Sequence, residues 1–392
     1  MTEIKVARRV QEIPPSEIRR FFDVANEMKG EVYSLSIGEP DFVTPWSACD
    51  AGIYSIEQGK THYSPNYGII ELRRAIADYI YRHYGVDYDS KTEIITTVGG
   101  SEGIDIVFRG LVNPGEEVIV PEPSFVAYKA GAKLAGAKVV TVATQAENGF
   151  KLTPELLRSA LTPQSRLLVV SYPSNPTGAV MNKADWAALL PVLREFPDLI
   201  ILTDELYTEL DYSGEEPSSL IQWPELRDRI FYVGGFSKTY AMTGWRIGYL
   251  IGPEYLLTEI AKVHQYTLMC APTAAQYAAL EAITNGEDVV NTMRNRYNLR
   301  RNMICAALRE MELPVFEPKG AFYIFPNITA CGMDSNTFCE RFLREEKVAI
   351  IPGSAFGDCG EGFARISYAA SEETIEEAML RMHRFVNKYR RR

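Results

Sequence analysis

Short apolar runs without polar alternation recur through the middle of the chain, at 94–98, 117–120, 138–142, 167–170, 199–203, 230–233 and 247–251. They are rich in β-branched residues, and a run of this length with no polar alternate suits a strand covered on both faces. Several intervals between them, 101–112, 124–135, 153–161 and 183–195, are long enough for helices. Strands alternating with helices predict an α/β fold with a mostly parallel central sheet and flanking helices. The outer parts read differently. Residues 287–311 carry a helical pattern with Met293, Tyr297, Ile304 and Leu308 on one side. Strand-like runs at 321–325, 348–351 and 363–368 and helical stretches near 336–346 and 372–389 follow it. The pattern predicts a large unit over 46–286 and a smaller α+β unit over 287–392, joined by the N-terminal segment 1–45.

With 392 residues, 46% hydrophobic and 23% charged, the chain has an ordinary globular composition and room for a large core. Its net charge of -10 argues against a nucleic-acid partner, because a phosphate backbone needs a basic face. The basic end, 390–392, reads instead as solvated cations that suit the dipole of a last helix. Scattered cysteines without Cys-x-x-Cys spacing, and dispersed histidines, predict free thiols and no metal. No apolar run approaches the ~18 residues of a membrane span. Residues 1–9 lack a secretory apolar core, so a cytoplasmic protein with no membrane partner is expected.

One segment changes the picture: Gly235-Phe236-Ser237-Lys238-Thr239-Tyr240-Ala241-Met242-Thr243-Gly244-Trp245-Arg246-Ile247-Gly248. Lys238 has apolar and small neighbours where a surface lysine would keep polar company. A lysine in a dry pocket loses the hydration that favours its charge, so its pKa falls and its amine becomes a nucleophile. Ser237 and Arg246 can hold an anion beside that amine, and an aldehyde carrying a phosphate meets both demands. Pyridoxal 5'-phosphate held as a Schiff base is such a group. The segment resembles the lysine attachment signature of the class I pyridoxal-phosphate aminotransferases, the fold-type-I family. The alternative is a buried lysine paired with a carboxylate in a strand-to-helix turn.

Other segments carry the same resemblance. Asp204 follows an apolar run and opens Asp204-Glu205-Leu206-Tyr207; alone it reads as a helix N-cap. Beside a pyridine ring it keeps the ring nitrogen protonated, and Tyr207, on the same side of a helical turn, bonds the phenolic oxygen. Ser171-Tyr172-Pro173-Ser174-Asn175-Pro176-Thr177-Gly178 resembles the family's Asn-Pro-x-Gly element, which implies that Asn175 donates to the phenolic oxygen near the substrate carboxylate. Val98-Gly99-Gly100-Ser101-Glu102-Gly103 leads from strand to helix, and Gly100, Ser101 and Glu102 are phosphate-cradle positions acting chiefly through backbone. Phe125 matches the aromatic that stacks on the cofactor ring. Tyr63 resembles the tyrosine that reaches the phosphate of a neighbouring subunit, with Tyr67 as its competitor. Arg365 lies in a run resembling the substrate-carboxylate site, where a guanidinium binds bidentately. Gly38, in Ile37-Gly38-Glu39-Pro40-Asp41-Phe42, offers backbone near that carboxylate.

The matches run from residue 37 to about 368. Together they imply a fold-type-I transaminase, a homodimer with shared active sites, acting on an L-amino acid and a 2-oxo acid such as 2-oxoglutarate. Lys238, Asp204 and Tyr207 are the expected catalytic residues. A carbon–sulfur lyase or a cyclopropane-forming synthase would share fold and cofactor. From other classes, Gly-x-Ser-x-Gly at Ser101 matches a hydrolase nucleophile elbow, but residues 1–93 lack the strands that should precede it. A cofactor-binding transcription regulator would need a basic DNA-binding module for which the match leaves no room. Substrate choice stays open between aromatic, aspartate and related donors. Arg109 is one candidate for a distal carboxylate, and Phe322, Tyr323 and Ile13 are candidates for an apolar pocket.

Overall fold

The computed structural model describes residues 6–27 and 32–390, so residues 1–5 of the N-terminus and 391–392 of the basic end lie outside it. The seven apolar runs all become strands of one sheet: β1 (Ile94–Thr97), β2 (Glu117–Glu122), β3 (Lys138–Ala143), β4 (Ser165–Val170), β5 (Ile200–Asp204), β6 (Ile230–Gly235) and β7 (Gly248–Ile251). Their order across the sheet is β1-β7-β6-β5-β4-β2-β3. The run from β3 to β6 pairs parallel, whereas β7 is antiparallel to both β1 and β6. The lack of alternation has its physical cause here. Leu167, Val169, Ile200 and Leu202 face one core, and Leu168, Val170 and Ile201 face the other. The edge strand β3 is covered least, which is why Lys138 and Thr141 are tolerated on it.

The expected helices appear as Gly100–Leu111, Ala127–Leu134, Pro154–Ala160 and Lys183–Glu195, the last opened by an Asn182/Asp185 capping box. Four further helices, Trp46–Glu57, Ile70–Tyr84, Glu254–Thr267 and Thr273–Asn285, complete the layers. Their mixed apolar content gave no clean stripe in sequence. None of the described helices is long and apolar enough to cross a membrane.

In the C-terminal part, helix Glu287–Glu310 buries Met293, Tyr297, Ile304 and Leu308, as the spacing requires. The strands there are shorter than the apolar runs. Tyr323–Ile324, Ile351–Pro352 and Ala364–Ser367 form a small antiparallel sheet, and Pro326 and Pro352 lack the N–H needed to lengthen its ladders. Tyr33–Ser34 pairs in parallel with Val348–Ala349, which brings the N-terminal segment onto this part. Arg390 is not the solvated cation expected. It is half-buried, donates to the Met311 carbonyl and pairs with Glu312 at 2.6 Å.

Candidate active site

Open parallel sheets present ligand sites beyond the carboxyl ends of their strands. Val98–Glu102 follows β1, Phe125 follows β2, Asn175 follows β4, Asp204 ends β5, and Lys238 lies just past β6. The topology therefore gathers residues far apart in sequence at one edge. Leu206 shows how close the turns come: a Cβ built on Gly100 lies 2.9 Å from it, and one on Gly235 lies 2.6 Å away.

Lys238 sits in the short helix Phe236–Thr239 and donates from Nζ to the Gly38 carbonyl at 2.6 Å. Burial pulls its pKa down to about 8; Glu39 opposes the shift, and Arg246 and Arg365 add to it. The segment from Ser36 to Thr44 is tied over this helix. Glu39 accepts from Thr243, Thr44 Oγ1 donates to the Ala241 carbonyl at 2.7 Å, and Asp41 pairs with buried Arg300 at 2.8 Å. Gly38 is required at its position, because a Cβ there would stand 2.2 Å from the Tyr323 hydroxyl.

Asp204 is buried, and burial pushes its carboxyl up to about 6 against a 2.6 Å bond from the Tyr128 hydroxyl and a 3.3 Å bond from Leu206 N. No helix begins there. Residues 206–209 form a turn, so both the N-cap alternative and the helical geometry proposed for Tyr207 give way. The strand simply runs out at the sheet edge, and Asp204 is left facing inward. Tyr207 is buried nearby with its hydroxyl 2.8 Å from that of Tyr323, and burial raises its pKa well above the usual range. Phe125 is half-buried and meets Tyr128 edge-on at 5.7 Å.

Arg365 is enclosed. Nη1 donates to Asn175 Oδ1 at 3.0 Å and Nη2 to the Ser36 carbonyl at 2.6 Å, while Nε is buried with no partner among the described residues. The Tyr323 and Phe356 rings lie 4.6 and 4.8 Å from its carbon. An unanswered buried N–H on a cation fits an anionic guest. At the other end, Gly99 adopts φ +72°, and a Cβ there would stand 2.8 Å from Arg246 Nη2. Arg246 is exposed and donates to the Thr243 carbonyl at 3.0 Å. Gly100 and Ser101 open the following helix beside that guanidinium, an arrangement suited to a phosphate. Ser237 is buried next to Lys238. The Glu102 side chain folds back to the helix start, accepting from Val98 N and facing His264.

The remaining expectations divide. Tyr63 is 81% exposed, whereas Tyr67 turns inward under Arg73, which separates the two competitors. Arg109 pairs with Asp105 on the helix surface at 2.6 Å and is no part of the cleft. Phe322 is fully buried behind Tyr207 and Tyr323, and Ile13 is half-buried with its N–H on Val10. Sequence reasoning missed Tyr128, Phe356 and Arg300. Tyr128 lies one helical turn past Phe125 and was findable; Phe356 and Arg300 gave no local signal.

The model of the family described as aminotransferase class I and II matches residues 30–382. A putative aminotransferase of Bacillus subtilis, YugH, is 46% identical over 97% of each chain. An aromatic-amino-acid aminotransferase of Thermococcus litoralis is 43% identical over 96% of this chain and 97% of its own. Among solved structures, the aspartate aminotransferase of Thermus thermophilus with maleate superposes with a TM-score of 0.92 at 37% identity, covering 98% of this chain and all 100% of its own.

Proposed function

The chain belongs to the class I and II aminotransferases, and on that premise we propose that Lys238 is the attachment and proton-transfer residue of a pyridoxal 5'-phosphate transaminase. The observation that carries this reading is the buried Lys238 amine, lowered to about 8 and held at the sheet edge with Arg246 and Arg365 acting on it. Bound there, the cofactor supplies an aldehyde and an electron-withdrawing ring. Every other task falls to the chain. Arg246, Ser237 and the backbone N–H groups of Gly100, Ser101 and Glu102 hold the phosphate. Phe125 covers one ring face, Asp204 keeps a proton on the ring nitrogen, and Asn175 and Tyr207 bond the phenolic oxygen. Arg365 fixes the substrate carboxylate next to Gly38, which orients the Cα–H bond. The free Lys238 amine then takes that proton from Cα.

The substrates in this reading are an L-amino acid, aromatic or aspartate, and a 2-oxo acid such as 2-oxoglutarate. In this reading an aromatic donor needs no distal counter-charge, and a distal carboxylate takes its counter-charge from a second subunit. We place the chain in a cytoplasmic homodimer. Trp46, Ile53, Tyr54 and Ile56 are exposed on one helix along with Tyr63, an apolar surface suited to a partner. There Tyr63 would serve the partner's phosphate. The test is a screen of amino donors with 2-oxoglutarate, read as glutamate. Turnover by aromatic amino acids or aspartate supports the assignment. Wild-type activity in Lys238→Ala refutes the role of Lys238, and pyruvate formed from cysteine conjugates without any oxo acid would mark a carbon–sulfur lyase instead.

A further inference from the structure

Glu102 is buried in the first turn of helix Gly100–Leu111, beside the N–H groups that the preceding reading assigns to a phosphate. A carboxylate there opposes a phosphate dianion, because both seek the same end of the helix dipole. Its surroundings answer the problem. One oxygen accepts from Val98 N, and the other lies 2.5 Å from His264 Nδ1. His264 is fully buried, and its Nε2 lies 2.9 Å from the Asn66 carbonyl oxygen. A carbonyl only accepts, so Nε2 must carry hydrogen. The 2.5 Å contact between carboxyl and Nδ1 needs a second hydrogen. Whether that hydrogen sits on oxygen or on nitrogen, carboxyl and ring together have no net charge. The same ring pins the loop around Asn66, whose side chain donates to the Met269 carbonyl at 2.7 Å.

We infer that Glu102 and His264 form a charge-neutral positioning pair that lets the start of this helix accept the cofactor phosphate. The inference rests on the cofactor reading above, and the experiment keeps the two separable. Cofactor-free wild type, Glu102→Gln, His264→Gln and the double variant are titrated with pyridoxal phosphate and, separately, with pyridoxal, which lacks the phosphate. Imine absorbance is the readout, repeated with inorganic phosphate as competitor. In Glu102→Gln the amide oxygen still accepts from Val98 N and its NH2 donates to Nδ1, so the phosphate ester binds within about threefold of wild type. His264→Gln leaves the carboxylate charged. Affinity for pyridoxal phosphate and for inorganic phosphate should fall on the order of tenfold or more, with pyridoxal unchanged. The double variant, neutral again, recovers the phosphate affinity. If His264→Gln does not fold because it strands a buried charge, Glu102→Gln and the double variant decide. Equal losses in Glu102→Gln and His264→Gln, or equal weakening of pyridoxal and its phosphate, would show a merely structural contact and overturn the pair's role. A wild-type chain that forms no imine with either compound overturns the cofactor reading itself, and the pair's role with it.

Discussion

Lys238 offers the sharpest test, because the fold sets its chemistry before any ligand arrives. Burial moves its pKa from 10.5 to about 8, with Arg246 and Arg365 contributing in the same direction. A displacement of that size raises the free-amine fraction at neutral pH by about 300-fold, to roughly one molecule in ten. Competitive labelling of the cofactor-free protein with acetic anhydride, resolved by peptide mass spectrometry over roughly pH 6 to 11, reads this directly. Lys238 should label with a midpoint near 8. Arg246→Gln should raise that midpoint, because one cation acting on the amine is gone. The sign for stability follows from proton binding. Between about 8 and 10.5 the folded state holds fewer protons than the unfolded chain. The group's stabilisation is therefore complete above about 10.5 and lost as pH falls through about 8. Lys238→Ala should accordingly gain stability relative to wild type on going from alkaline to neutral pH, by at most about 3 kcal/mol in urea melts. A labelling midpoint at 10 or above, together with a pH-independent effect of Lys238→Ala, would refute the dry-pocket reasoning.

Four further outcomes are expected. Asp204→Asn should retain the cofactor yet lower kcat by at least about 100-fold; in Tyr128→Phe, which loses the 2.6 Å bond that lowers Asp204, the carboxyl should titrate above its present value of about 6 in 13C NMR of the cofactor-free protein. Arg365→Lys should raise KM for donor and acceptor alike by on the order of 100-fold, because an ammonium cannot reproduce the planar fork held between Asn175 and Ser36. Gly38→Ala places a methyl 2.2 Å from the Tyr323 hydroxyl, so KM should rise, and Tyr323→Phe in the same chain should recover part of the loss in steady-state kinetics.

The chain announced its central sheet through local pattern alone. Runs such as 199–203 lack alternation because both faces of β5 are covered, and that burial is written residue by residue. Lys238, Asp204, Asn175 and Arg365 were singled out from short motifs and their resemblance to a family, and the structure gathers them at one end of the sheet and its neighbouring strand. What pairs with what was not legible. Tyr128 on Asp204, Arg300 on Asp41 and His264 on Glu102 join residues between 76 and 259 positions apart. Only packing showed that Arg109 pairs with Asp105 on the helix surface, that Arg246 stands beside Gly99, and that Asp204 ends in a turn. Short-range covalent geometry and burial leave their mark on consecutive residues. Long-range contacts, and the pKa values that depend on them, exist only once the sheet has brought its strand ends together.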